Sequence, residues 1–136
     1  MERCQIHVFT SNRLEGWGAV VNEAMNSGCA EVASAAAGAV PYLIRQGVNG
    51  IAYPEDDFMQ MAQAVLSLAC NDGKRKEMGR KAMETITGTW NAEHAAGELL
   101  RFSEELLTGE PKGADDGPLS PAPVISERRM YSWMCQ

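Results

Sequence analysis

A strand-sized apolar run is followed at once by a glycine-rich turn and a short amphipathic helix, and this succession most limits the folds open to the chain. Residues Cys4 to Thr10 (C-Q-I-H-V-F-T) read as a buried strand ending in a Ser11-Asn12 turn signal. A helix is expected from about Gly18 to Ser27, closed by Gly28 as a left-handed C-terminal cap. Ala30 to Ser34 reads as a second strand, with Glu31 standing where an apolar residue belongs. The small residues Ala35 to Gly38 lead to a short helix near Pro41 to Arg45, and Pro41 suits a first turn. Gly47 to Gly50 forms a turn before a third short strand, Ile51 to Tyr53. Short strands alternating with helices argue an α/β fold with parallel pairing.

The rest is expected to be helical. Phe58, Met61, Ala62, Val65, Leu66 and Ala69 fit the i, i+3, i+4, i+7, i+8, i+11 template, and Asp56 and Asp57 precede them as capping acids. A second helix after Asp72 is expected to bury Met78, Ala82 and Ile86. A third, with Asn91 as N-cap, is expected to bury Ala95, Leu99, Phe102 and Leu106. From Thr108 to Pro123 the composition turns to Gly, Pro and Asp, which reads as a linker or extended surface segment. Apolar residues return between Val124 and Gln136, suggesting a short docking segment. The organisation is therefore a domain over 1–107, a linker over 108–123 and a docking segment over 124–136.

At 136 residues the chain has about one domain, and a net charge of −6 argues against a general nucleic-acid binder. The cluster Lys74, Arg75, Lys76, Arg80 and Lys81 reads as a solvated helix face. Cys4, Cys29, Cys70 and Cys135 are widely spaced, which fits free thiols in a reducing compartment rather than a zinc site or disulfide framework. Without a leader or a membrane-length apolar run, a soluble cytoplasmic protein is expected, peripheral membrane association remaining open. His7 reads as a strand residue at the sheet edge and His94 as a solvent-facing or capping residue. Neither belongs to a metal-ligand or triad pattern.

The chemistry concentrates in Ser11 to Gly28, S-N-R-L-E-G-W-G-A-V-V-N-E-A-M-N-S-G. A glycine-rich turn between strand and helix leaves amides near Gly16 to Val20 unpaired at the positive end of a helix dipole, a site for phosphate or pyrophosphate. Gly16 and Gly18 allow close approach of a ligand to the backbone. Glu15 precedes the helix and Glu23 lies about a turn and a half inside it. Carboxylates beside an anion site suit sugar hydroxyls, whose O–H groups they accept in charge-assisted bonds. Taken alone, the two glutamates read more readily as solvent-facing acids at a strand-to-helix corner.

The surrounding block resembles the E-x7-E signature of family 4 glycosyltransferases: a Ser, then E-G-F-G, apolar residues, then E-A-x-A-x-G. Ser11, Glu15, Gly16, Trp17, Gly18, Val20, Val21, Glu23, Ala24, Met25 and Gly28 fall in register with it. The resemblance continues through Cys29 to Ile44, then G-V-N-G-I-A-Y-P, E-M-G-R-K-A and the Trp90-led final helix, covering about residues 1–107. It implies a Rossmann-like C-terminal half-domain of a GT-B glycosyltransferase, with a short parallel sheet, flanking helices and a helical C-terminal region. By the same resemblance, Glu15 contacts the donor sugar near the reacting centre and is the catalytic candidate. Glu23 binds the ribose hydroxyls, the amides around Gly18, Ala19 and Val20 contact the diphosphate or sugar, and Gly16 and Trp17 belong to the same donor-binding turn. The implied chemistry is retaining transfer from an NDP-sugar, with no metal and no other cofactor.

The departures from the pattern are Ala30-Glu31 in place of Pro-Val and Tyr42 in place of the usual Glu. The family's N-terminal acceptor domain, which would hold a sugar or lipid-linked acceptor, and its basic diphosphate-binding pair have no counterpart here. Arg13 and Arg45 are nearby cations that do not match that pair. The chain alone is therefore expected to be inactive, marginally stable and prone to self-association through an exposed sheet edge bearing Ile6 and Val8. The rival readings are a non-catalytic nucleotide-binding module and a truncated or split chain without activity of its own.

Overall fold

A computed structural model of the chain describes residues 3–122. The expected docking segment, 124–136, lies outside the described residues. The elements run β1 (Ile6–Phe9), α1 (Ala19–Asn26), β2 (Ala30–Ser34), α2 (Val40–Leu43), β3 (Gly50–Tyr53), α3 (Phe58–Ala69), α4 (Asp72–Gly88) and α5 (Ala92–Thr108). The sheet is three-stranded and parallel in the order β1-β2-β3, with Val8 beside Val32 and Val32 beside Ile51. This is an α/β architecture, with helices on both faces of the sheet, as parallel strands require.

β2 is the centre of the molecule, and every residue of it is buried. On one face, Val21 and Met25 of α1, Val40 and Leu43 of α2, and Ala82 and Ile86 of α4 close over Ala33. On the other, Ala30, Val32 and Tyr53 meet Ala64 and Leu68 of α3 and Met78 of α4. The α1–α4 crossing is close enough that a Cβ on Gly79 would stand 2.2 Å from the carbonyl oxygen of Gly28. Gly28 itself has φ +74° and ends α1 as expected. Its amide bonds the Met25 carbonyl at 3.0 Å and the Cys29 amide bonds that of Ala24 at 3.1 Å, the paired bonds of a Schellman stop. Asp57, Asn71 and Asn91 each cap the helix that follows, accepting from the amides of Gln60, Lys74 and His94.

Two expected apolar faces are corrected. α3 packs through Met61, Ala64, Val65 and Leu68, whereas Phe58 and Leu66 are each 61% exposed. Both sets obey the helical template, because apolar residues occupy most of this helix; periodicity alone therefore leaves its rotation undetermined. α5 buries none of its residues. Leu99 and Leu106 are 56% and 55% exposed, since no described helix or strand lies along that face closely enough to cover it.

Residues 109–122 fold back on the body. The Lys112 amide bonds Glu105, Asp116 pairs with Arg45, and Gly117 lies against Thr89. The basic cluster is a solvated face at Lys76, bridged to Asp72, and at Arg80, bridged to Glu77 and Glu84. Arg75 departs from that expectation: its side chain is 13% exposed and donates to Gln5 and the Leu68 carbonyl.

Candidate functional site

In a parallel sheet, ligands gather beyond the carboxyl ends of the strands. Three loops meet there: 10–18 after β1, 35–39 after β2 and 54–57 after β3. Arg13 joins the first to the third, its guanidinium 3.2 Å from the Glu55 carboxylate. The first and second are pressed together at Gly16 and Gly38. A Cβ on Gly38 would lie 1.9 Å from the Gly16 carbonyl oxygen, so only glycine lets the turn seat so deeply. The Ala39 amide then donates to the Trp17 carbonyl at 2.8 Å.

Gly18 is the pivot. It is buried, with φ +83° and ψ 56°, a left-handed conformation that L side chains resist. The Phe9 ring lies beneath it, where an added Cβ would come within 3.0 Å. No side chain caps the helix that Gly18 opens. The first amides of α1, at Ala19 and Val20, thus reach solvent without a capping acceptor, at the positive end of the helix dipole.

Glu15 is half-buried in the turn ahead of these amides, its own amide bonded to the Asn12 carbonyl at 3.0 Å. Glu23 is exposed, one turn along α1 from Ala19 on the face turned away from the core residues Val21, Ala24 and Met25. Among the described residues neither carboxylate has a polar side-chain partner. Gly16 and Trp17 are exposed, and Trp17 fixes its indole by donating to Asn22 Oδ1 at 2.8 Å. The sequence-predicted residues therefore share one turn and the first turns of one helix. Gly38 and Phe9, which pack against that turn, and Trp90, whose ring lies 5.8 Å from that of Trp17, were not singled out in the sequence as site residues. Gly38 carried a local signal in its run of small residues, whereas the other two reveal their role only in three dimensions.

Two features apart from this turn are also built from named side chains. A cavity of about 310 Å³ is lined by Arg45, Val48, Asn49, Lys81, Glu84, Thr85 and Thr89. Its Asn49 is buried and fully used, donating to the Leu43 carbonyl and Thr85 Oγ1 and accepting from the Arg45 amide. The other is an ion pair inside the sheet: Glu31 is completely buried, with His7 Nδ1 2.9 Å from each of its carboxylate oxygens. Burial pushes the Glu31 carboxyl up, partly opposed by His7, and the bond to Glu31 raises the His7 imidazole against its own desolvation. His7 is an edge-strand residue as expected, and its partner is the acid that looked misplaced in β2. Among the described residues, no group of three or more His, Cys, Asp or Glu side chains is placed to hold a metal ion. Nor is any described helix long and apolar enough to cross a membrane.

Among solved structures the chain is similar to the C-terminal domain of a glycosyl transferase group 1 family protein, LpcC, from Francisella tularensis. The two are 30% identical with a TM-score of 0.57, over 61% of this chain and 42% of that one. It also shares its fold with Alr3699/HepE from Anabaena, solved in complex with UDP. That match has 23% identity and a TM-score of 0.63, over 79% of this chain and 28% of that one. The chain thus spans less than half the length of either structure. No curated protein sequence matches it. The family model described as glycosyl transferases group 1 matches residues 1–85, which include the entire site turn, and the chain belongs to that family.

Proposed function

We propose that the chain is the donor-binding portion of a family 4 glycosyltransferase, taking an NDP-sugar through an E-x7-E site for transfer with retention. The observation that carries this reading is the opening of α1: uncapped amides behind a left-handed Gly18, with Glu15 before them and Glu23 a turn inside. A diphosphate suits the amides of Gly18, Ala19 and Val20, being anionic where the dipole is positive. Glu23 would accept from the ribose hydroxyls and Glu15 from the donor sugar next to the reacting carbon. The UDP in the Anabaena neighbour supports a nucleotide as the ligand class.

No metal is required on this reading, since amides and the helix dipole meet the diphosphate charge. The acceptor, a sugar or lipid-linked sugar, would be held by a second domain, because transfer needs it aligned against the donor. A soluble cytoplasmic setting, with peripheral membrane contact, suits such substrates.

Calorimetric titration of UDP and GDP into the chain tests the reading. Saturable binding of one nucleotide is expected, unchanged by EDTA. Loss of a charge-assisted bond in Glu23→Ala should weaken it about tenfold or more. Binding of neither nucleotide, or a Glu23→Ala chain that binds as the wild type does, would overturn it.

A further inference from the structure

Residues 86–122 lie beyond the stretch matched to the family, yet they reach back to the site turn. Trp90, between α4 and α5, places its ring 5.8 Å from Trp17 at an interplanar angle of 39° and 6.5 Å from Tyr42. Trp17 and Tyr42 stack at 6.0 Å and 24°, closing a triangle of rings from three separate segments. Trp17 is also tethered at its indole N–H by Asn22 and at its carbonyl by Ala39. Movement of its ring is thereby passed to the flanking residues, Gly16 and Gly18.

The junction carrying Trp90 is itself fixed. The Trp90 amide donates to the Thr85 carbonyl at 3.1 Å, and Asn91 caps α5. The returning segment presses Gly117 onto Thr89, where a Cβ would stand 2.6 Å from Cγ2. It also pairs Asp116 with Arg45, just beyond the α2 helix that carries Tyr42.

We propose that Trp90 is a positioning residue for the donor site: it braces Trp17 and Tyr42, and through them holds the Gly16–Val20 turn in its ligand-ready form. The C-terminal segment 89–117 then completes the site without supplying a group to the ligand. The inference rests on the donor-site reading for its functional meaning, but the brace can be tested without any ligand.

Amide hydrogen exchange of the full chain should be compared between wild type, Trp90→Phe and Trp90→Leu. Both substitutions are apolar and bulky, and only the first keeps a ring. Aromatic pairing supports a rise in exchange of about threefold to tenfold in Trp90→Leu at the amides of Glu15, Val21 and Ala39, which the turn holds in bonds to the Asn12, Gly18 and Trp17 carbonyls, with Phe close to wild type and the Leu68 amide unmoved. UDP affinity, where wild type binds it, should fall with Leu and be retained with Phe. Equal exchange in the two variants, or a rise spread evenly into the Leu68 region, would overturn the brace. A wild-type chain that binds no UDP or GDP counts against the donor reading instead, and the exchange comparison still decides the brace.

Discussion

The Nδ1–H of His7 in β1 donates to the fully buried carboxylate of Glu31, its direct neighbour in β2, at 2.9 Å. Both groups hold their protons more tightly in the folded chain than at their ordinary values. The folded state therefore binds more protons than the unfolded one above about pH 4.3, where a free glutamate ionises, and again above about 6.5 for a free histidine. Stability from this pair is complete at low pH and is lost as pH rises through the raised folded values. The melting temperature should thus fall as pH rises above about 4.3, and fall further above about 6.5. A His7→Phe, Glu31→Val chain should melt without that slope and at no lower temperature near neutrality, since apolar replacement of a buried pair is often neutral or stabilising. His7→Ala alone, which strands the buried acid, should cost about 3 kcal/mol. Melting curves across pH check all three, and an unaltered slope in the double variant would contradict the assignment.

Two glycines separate site geometry from fold stability. A methyl on Gly38 meets the Gly16 carbonyl oxygen at 1.9 Å, and one on Gly79 meets that of Gly28 at 2.2 Å. Each Ala substitution should destabilise by about 1–3 kcal/mol, the usual range for overpacking against atoms that must shift. Gly38→Ala should also abolish nucleotide binding at temperatures where it is folded, because it lifts the turn. Gly79→Ala should bind nucleotide normally once folded. Titration at low temperature on both variants distinguishes them, and equal affinities would mean the turn tolerates displacement.

How much of this was legible in the sequence depended on how local the cause was. Strand β2, helix α3 and the caps at Asp57 and Asn91 follow from neighbouring residues, and the structure has them where the sequence put them. The turn at Glu15–Gly18 was legible through spacing and family resemblance. The buried faces of α3 and α5 were not, because periodicity fixes the angle between side chains but not which neighbour covers them. The pairing of Glu31 with His7 depends on parallel register between residues 24 positions apart, and that of Trp90 with Trp17 on a closure no local rule expresses.

In an enzyme that includes an acceptor domain, the two glutamates should separate kinetically. Glu23→Ala should raise KM about tenfold or more with kcat little changed, because the proposed ribose contact would be made equally before and during transfer. On the proposed reading Glu15→Ala should depress kcat, since its contact would lie beside the reacting carbon. Steady-state kinetics on both variants check this, and negligible effects in both would return them to solvent-facing acids.

The outer strand β1 pairs with β2 on one side, and no strand among the described residues pairs with its other side. Val8 on it is 37% exposed. The chain alone should therefore self-associate as its concentration rises, and Val8→Lys should restore monomer by charging the edge. Sugar transfer to an added acceptor should be undetectable. Sedimentation velocity over a concentration series checks the first point; a monodisperse wild-type monomer that turns over a nucleotide sugar would overturn both.

Whether the start of α1 takes a nucleotide-sugar donor can be read from amide chemical shifts recorded while UDP is added to the chain. The largest changes are expected at Gly18, Ala19 and Val20, smaller ones along α1 to Glu23, and none at Asn49 or Thr85 in the cavity beside Arg45. Shifts centred on that cavity, or a spectrum unchanged by UDP and by GDP, would contradict a donor site at α1.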